Sequence, residues 1–241
     1  MKILRNVFLV ILIIILITGI ALYVSGNNMY EDALDGRTLE EVIEEIQSDP
    51  DYIKYEDLPQ NYINAVISVE DHRFRDHGAI DLIAIGRAIY VNVSTFSLRE
   101  GGSTITQQVA KNIFYITETN PVSRKSAEIL TAFDLEDKYT KNEILELYVN
   151  TIYFGDGYYG IEEACQGYLN KSTSEMNLID CTMMAGIPNA PSIYSPTVNS
   201  DLTRSRQEKV ISTMIENNYI SDSDANDLIN SLDEYYKNFE N

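Results

Sequence analysis

Tryptophan is absent from this 241-residue chain, and cysteine, histidine and proline are sparse at two, two and six residues. Cys165 and Cys181 cannot build a dense disulfide framework, so the fold must stand on its hydrophobic core; whether the two pair with each other stays open. His72 and His77 are the only histidines, and neither C-x-x-C nor H-E-x-x-H occurs, which argues against a structural zinc site. Positive charge is also scarce: 18 Lys and Arg stand against 37 Asp and Glu, a formal net charge of −19. A body this acidic argues against nucleic acid as a partner and against adhesion to an anionic lipid surface by bulk charge. Strand-like alternation is rare and no internal repeat is present, so the chain reads as mainly α.

What the chain does have begins at Val7–Val24, an uncharged Ile/Leu-rich run. As a helix it spans about 27 Å, enough to cross a hydrocarbon core. Lys2 and Arg5 precede it and no further charge appears until Glu31. The positive-inside tendency then places the N-terminus in the cytoplasm and the chain after Tyr30 outside. A cleavable signal peptide is the rival reading, but its apolar core is usually shorter and no A-x-A site follows here. Without Lys2 and Arg5, 16 basic residues remain, ten of them between Arg73 and Lys171. Positive charge focused on an acidic body suits an anionic ligand, although simple scatter of surface Lys and Arg gives the same count.

After this segment, Thr38-Leu-Glu-Glu41 reads as a capping box opening a short acidic helix that Pro50 ends. From Leu58 to about Leu82 the apolar spacing is helical, interrupted near Gly78, and further helices are expected at about 81–93, 104–115, 124–138, 141–151, 159–169, 177–186, 203–217 and 223–232. Residues Ser94–Gly102 read as a loop that either touches lipid or gates a cleft through Phe96 and Leu98, or is merely mobile.

Residues 101–112, GGSTITQQVAKN, hold the densest signal. Two glycines free the backbone, Ser103 and Thr104 offer caps, and Gln107 completes a capping box with Thr104. Thr104, Gln108 and Lys111 then share one helical face while Ile105, Val109 and Ile113 occupy another. That stripe is a cradle for phosphate or pyrophosphate, or else an ordinary capped surface helix.

Two carboxylates are candidates for chemistry. Ile63, Val66, Ile67, Glu70 and Phe74 follow helical spacing, so Glu70 points with an apolar face, where desolvation raises its pKa toward that of a useful acid or base. A structural ion pair with Arg73 or Arg87 is the alternative. Glu128 shares a face with Ala132, Leu135 and Tyr139, with Arg124 one turn before it as in an ordinary helix salt bridge. Together the two acids and the cationic stripe supply the groups needed for glycosyl transfer to an acceptor with a charged leaving group.

These residues resemble glycosyltransferase family 51, the peptidoglycan glycosyltransferases that occur alone or as the N-terminal module of class A penicillin-binding proteins. Glu70-Asp71-x-x-Phe74-x-x-His77-Gly78, with Asp81 and Arg87, is similar to the first family signature. GGSTITQQVAKN is similar to the second, and Arg124-Lys125-x-x-Glu128 to the third. The stretch from Lys141 through Glu146, Tyr148 and Asn150 to Gly155 is similar to the fourth, and Met184–Pro196 to the last. The resemblance implies a lysozyme-like fold of two lobes around a cleft, and lipid II and the growing glycan strand as substrates. Glu70 matches the general base and Glu128 the second essential carboxylate. Lys111, Arg124 and Lys125 would neutralise the leaving pyrophosphate, Thr104 and Gln108 would bind it or the sugars, and Asp71, Phe74 and His77 would shape the site. No tightly bound cofactor is implied; a divalent cation, Mg or Mn, at Glu128 is an open option.

The expected organisation is a cytoplasmic N-terminus over residues 1–6, a single-pass plasma-membrane anchor over 7–24, a stalk over 25–54, a glycosyltransferase domain over 55–217 on the outer face, and a helical tail over 218–241. No S-x-x-K follows, so a monofunctional enzyme is expected, with cell-wall synthesis proteins as candidate partners. A membrane-anchored scaffold that binds lipid II without turnover is the alternative, and a lysozyme-like hydrolase a third reading.

Overall fold

The computed structural model describes residues 2–96 and 101–239. Among the described residues a single helix, α1 (Lys2–Leu34), is long and apolar enough to cross a membrane, with mean hydropathy 3.2 over its most apolar window. It does not stop where the apolar run stops; its last third continues as helix and packs against α6. The remaining helices are α2 (Leu39–Gln47), α3 (Gln60–Glu70), α4 (Leu82–Thr95), α5 (Ile105–Phe114), α6 (Pro121–Lys138) and α7 (Lys141–Thr151). A two-stranded antiparallel hairpin, β1 (Tyr153–Gly155) and β2 (Tyr158–Tyr159), precedes α8 (Ile161–Leu169), α9 (Leu178–Gly186), α10 (Pro191–Tyr194), α11 (Ser200–Glu216) and α12 (Asp222–Tyr236). The fold is thus mainly α, as composition and spacing indicate.

Local chemistry starts most of these helices. Capping boxes open α2 at Thr38, α5 at Thr104, α7 at Thr140, α9 at Asn177 and α12 at Ser221. In each, a side-chain oxygen takes an orphan N–H of the first turn and a carboxylate or amide three residues on takes the cap's own N–H. Asn120 caps α6, and Pro121 at its first position supplies a helical φ without wasting a donor.

Two packing groups share one core. In the first, α5 lies between α6 and α7, burying Ile105 and Val109 among Leu135, Ile144, Leu147 and Tyr148. In the second, α3 packs on α9 and α11, burying Tyr62, Ile63, Val66 and Ile67 against Met183, Met184, Val210, Ile211 and Met214. α12 closes on α11 through Leu228, Leu232 and Tyr236. Gly155 holds φ at +92°, and a side chain there would lie 3.0 Å from the Pro191 carbonyl, so the hairpin can meet α10 only with glycine at this point.

Two readings need correction, and the open question of the cysteines is answered. The helical spacing from Leu58 does not continue to Phe74: α3 stops at Glu70, and Asp71 leaves the helical region with φ −158° because its carboxylate is committed elsewhere. Ser94 and Thr95 belong to α4 rather than to a loop, since each hydroxyl returns to the Val91 carbonyl and extends the helix. Phe96 follows in a left-handed conformation and is fully exposed, whereas Leu98 lies outside the described residues. Cys165 and Cys181 are both free and buried, their thiols pushed up to about 12 by burial.

Because Leu135 is wholly enclosed where α6 meets α5, Leu135→Ala should lower the unfolding free energy by roughly 2–5 kcal/mol. Denaturant titration in detergent, followed by circular dichroism, measures this.

Candidate active site

A cleft of about 780 Å³ runs between the two packing groups. Glu70, Asp71 and His72 enter it from the end of α3, Ser103, Gln108 and Lys111 from the start and face of α5, and Glu128 from α6. Arg206 and Lys209 line the opposite wall from α11. Both candidate carboxylates therefore face one space.

Glu70 is nearly enclosed, its side chain 9% exposed. Gln108 Nε2 donates to one carboxylate oxygen at 2.9 Å, and Arg206 approaches the other at 3.4 Å. Burial raises the Glu70 pKa; the Gln108 hydrogen bond and the Arg206 charge pull it back down, while the neighbouring Asp71 charge adds to the rise. The balance lies above the ordinary carboxylate value, with a cation close enough to keep the ionised form accessible. Arg206 is itself fixed, its Nε donating to the Gly186 carbonyl at 3.3 Å and its guanidinium 5.9 Å from the Tyr194 ring centroid. The ion-pair partner of Glu70 is thus Arg206. Arg73 instead pairs with Asp81 at 3.0 Å, and Arg87 lies 3.5 Å from His72.

Glu128 is 5% exposed and holds two cations, Arg124 at 3.2 Å and Lys125 at 2.9 Å. Lys125 Nζ also donates to Ser103 Oγ at 2.9 Å and Gln107 Oε1 at 3.2 Å, tying α6 to the glycine turn before α5. Lys111 is exposed on the same side and, among the described residues, has no hydrogen-bond or ion-pair partner. Arg124 and Lys125 are thus held by Glu128, with the unpartnered Lys111 adding positive charge on the same side.

Asp71 lines the cleft and His77 sits just behind it. Asp71 Oδ1 meets His77 Nε2 at 2.9 Å, and Oδ2 accepts the Ile105 N–H at 3.1 Å, so the pair joins α3 to α5. Thr104 and Phe74 do not reach the cleft. The Thr104 hydroxyl accepts from Gln107 N and donates to the Ala79 carbonyl at 2.9 Å, its residue buried, which leaves it nothing to offer a ligand. Phe74 is wholly enclosed, with the Lys141 ammonium 4.4 Å from its ring centroid. The hydroxyl that reaches the cleft at the head of α5 is therefore that of Ser103, held by Lys125 of α6, rather than that of Thr104.

A divalent cation at Glu128 does not fit the donor set. Both carboxylate oxygens already face fixed cations, and a third positive centre there would meet direct repulsion. The described residues contain one cluster with ligand-like spacing, Asp71, His77 and Asp81, whose donor atoms lie within 4.8 Å of one another. Its oxygens are spoken for: Asp81 caps α4 through Ile83 N and Ala84 N and pairs with Arg73, which supplies the positive charge a metal would bring.

A family model described as transglycosylase matches residues 35–215. The chain belongs to the transglycosylase family. It is 40% identical over 173 residues to penicillin-binding protein 1F of Bacillus subtilis (strain 168), a match covering 72% of this chain and 24% of that protein. It is 36% identical over 225 residues to penicillin-binding protein 1A of Haemophilus influenzae, covering 91% of this chain and 26% of the relative. The chain thus spans about a quarter of the length of the curated relatives it matches. A crystal structure of penicillin-binding protein 1A from Haemophilus influenzae is similar at 23% identity and a TM-score of 0.45, covering 74% of this chain and 17% of that one. Within this family member, Arg206 is the site residue that sequence reasoning missed. It lies 136 positions from Glu70, and nothing around it distinguishes it from Arg204, which pairs with Glu208 and Asp233 on the surface.

Thr104→Val should act as a folding lesion, costing about 1–2 kcal/mol through the lost cap and the stranded Ala79 carbonyl. Thermal unfolding reads the loss; the cleft cations should keep their anion affinity in the fraction that remains folded.

Proposed function

We propose that this chain is a peptidoglycan glycosyltransferase that polymerises lipid II into β-1,4 glycan strands with inversion and release of undecaprenyl pyrophosphate. The observation that carries the reading is an enclosed carboxylate at Glu70 sharing one cleft with Lys111 and with Glu128, which holds the Arg124 and Lys125 cations.

The chemistry follows from that pairing. A Glu70 oxygen takes the proton of the acceptor sugar's 4-hydroxyl as that oxygen attacks the donor's anomeric carbon. The bond from this carbon to the pyrophosphate oxygen breaks on the opposite face, and its electron pair leaves with the pyrophosphate. Attack and departure on opposite faces invert the configuration. No general acid is needed, because the departing charge is received by ammonium and guanidinium groups already in position. Glu128 acts on those groups: by holding Arg124 and Lys125 it keeps them aimed before substrate arrives. Gln108 orients the Glu70 carboxylate, and the Arg206 charge partly offsets the rise in pKa that burial causes.

A lipid-linked substrate accounts for α1 as a membrane anchor, with the N-terminus cytoplasmic and the cleft on the outer face. It also gives meaning to α4, which exposes Leu82, Ile83, Ile89, Tyr90 and Val93 and ends at the exposed Phe96. An apolar row of that size belongs against lipid rather than water.

Labelled lipid II incubated with the full chain in detergent should give a ladder of glycan products on a gel. Glu70→Gln should abolish the ladder, and moenomycin should suppress it. Binding of lipid II with no ladder from folded protein would instead mark a scaffold, and shortening of finished glycan a hydrolase. The pH profile of kcat/KM supplies a second test. Activity needs ionised Glu70, so it should rise with pH through a value above the usual carboxylate range. Arg206→Leu removes the nearby positive charge, raises that pKa further, and should move the acid limb to higher pH.

A further inference from the structure

We propose that α1 is a positioning element for α6, and that its docking on the back of that helix fixes where the Arg124–Lys125–Glu128 cluster stands in the cleft. This deepens, and rests on, the glycosyltransferase reading above.

The contact is intimate and specific in register. Ser25 Oγ lies 2.8 Å from Ser123 Oγ, and Tyr30 Oη donates to Asp134 Oδ2 at 2.5 Å. Between them Gly26 is buried against α6: a Cβ there would stand 2.8 Å from Ser126 Cβ, 2.9 Å from the Ser126 carbonyl carbon and 3.0 Å from Ala127 N. Glycine is what lets the two backbones touch. One turn on, the Tyr30 ring meets Phe114 of α5 edge-on at 6.3 Å, so the anchor braces both α5 and α6.

The α6 residues in this contact, 123, 126, 127 and 134, fall on one face of the helix. Residues 124, 125 and 128 point roughly 150° away, toward the side on which Glu128 lines the cleft. Helix α6 is therefore held between the anchor on one side and the site on the other, and Ser123, Ser126 and Ala127 are direct chain neighbours of Arg124, Lys125 and Glu128. A side chain at position 26 must push α6 by several tenths of an ångström or more. Displacement of about 1 Å at groups that receive developing charge is enough to cost about a hundredfold in rate. The same helix supplies its own control, because a Cβ at Gly19 meets nothing within 4 Å.

The test uses the full chain in lipid nanodiscs: wild type, Gly26→Leu and Gly19→Leu. Initial rates on lipid II, amide hydrogen exchange over residues 121–128, and calorimetric binding of inorganic pyrophosphate are read together. Gly26→Leu should lower kcat at least about tenfold while KM moves less than about threefold, with faster exchange in the first turns of α6 and weaker pyrophosphate binding. Gly19→Leu should match wild type in all three. If Gly26→Leu melts globally, Tyr30→Phe takes its place, removing one hydroxyl, with kcat expected to fall about two- to fivefold. Equal behaviour of the position-26 and position-19 variants, or altered exchange with unchanged kcat, would overturn the proposal and leave α1 a tether. If wild type makes no polymer, the glycosyltransferase reading fails by itself, and exchange with pyrophosphate binding still decides whether α1 sets α6.

Discussion

One buried carboxylate, Asp71, ties the site together. It ends α3 by leaving the helical region, accepts the first N–H of α5 from Ile105, and fixes His77 with its other oxygen. A negative charge at the N-terminus of α5 is favoured by the unpaired donors and the dipole there, and enclosure strengthens the interaction. Through that link the last residue of α3 and the second turn of α5 are brought into register, which is why Gln108 meets Glu70. Without it, Glu70 and Gln108 would sit on two helices joined by their own hydrogen bond alone.

Charge is distributed with similar economy. The chain is strongly acidic overall, yet Lys111, Arg206 and Lys209 line its cleft, and Arg124 and Lys125 pair with Glu128 at its edge. Glu128 and Glu70 use the same residue type in opposite ways. Glu128 is neutralised by two immediate cations and serves as their holder. Glu70 faces one more distant cation and an amide, so burial dominates and its affinity for a proton rises. Environment, rather than identity, separates the two roles.

Much of this is legible in the residues themselves. Short-range rules located the capping boxes at Thr38 and Thr104, the mainly helical class, and the acid-and-cation sets at 70–77 and 104–128, because those signals reside within a few positions. The errors share a cause. Phe74 continued the apolar spacing of α3, but the helix had already ended at a carboxylate whose partner lies 34 residues away. Thr104 looked available on a helical face until its hydroxyl was found committed to Ala79. Arg206 carried no local mark, since only tertiary packing of α11 on α3 and α9 brings it to Glu70. Periodicity reports which face a residue occupies, and says nothing of what has already claimed its polar atoms.

The two free cysteines carry a consequence for biogenesis. At neutral pH a thiol with pKa about 12 is ionised on the order of one part in 10⁵, and the thiolate is the species that reacts with oxidants and disulfides. Cys165 and Cys181, enclosed beneath α8 and α9, are chemically silent once the core has formed. The native core therefore forms without a disulfide between them, and folding shields both thiols from oxidants.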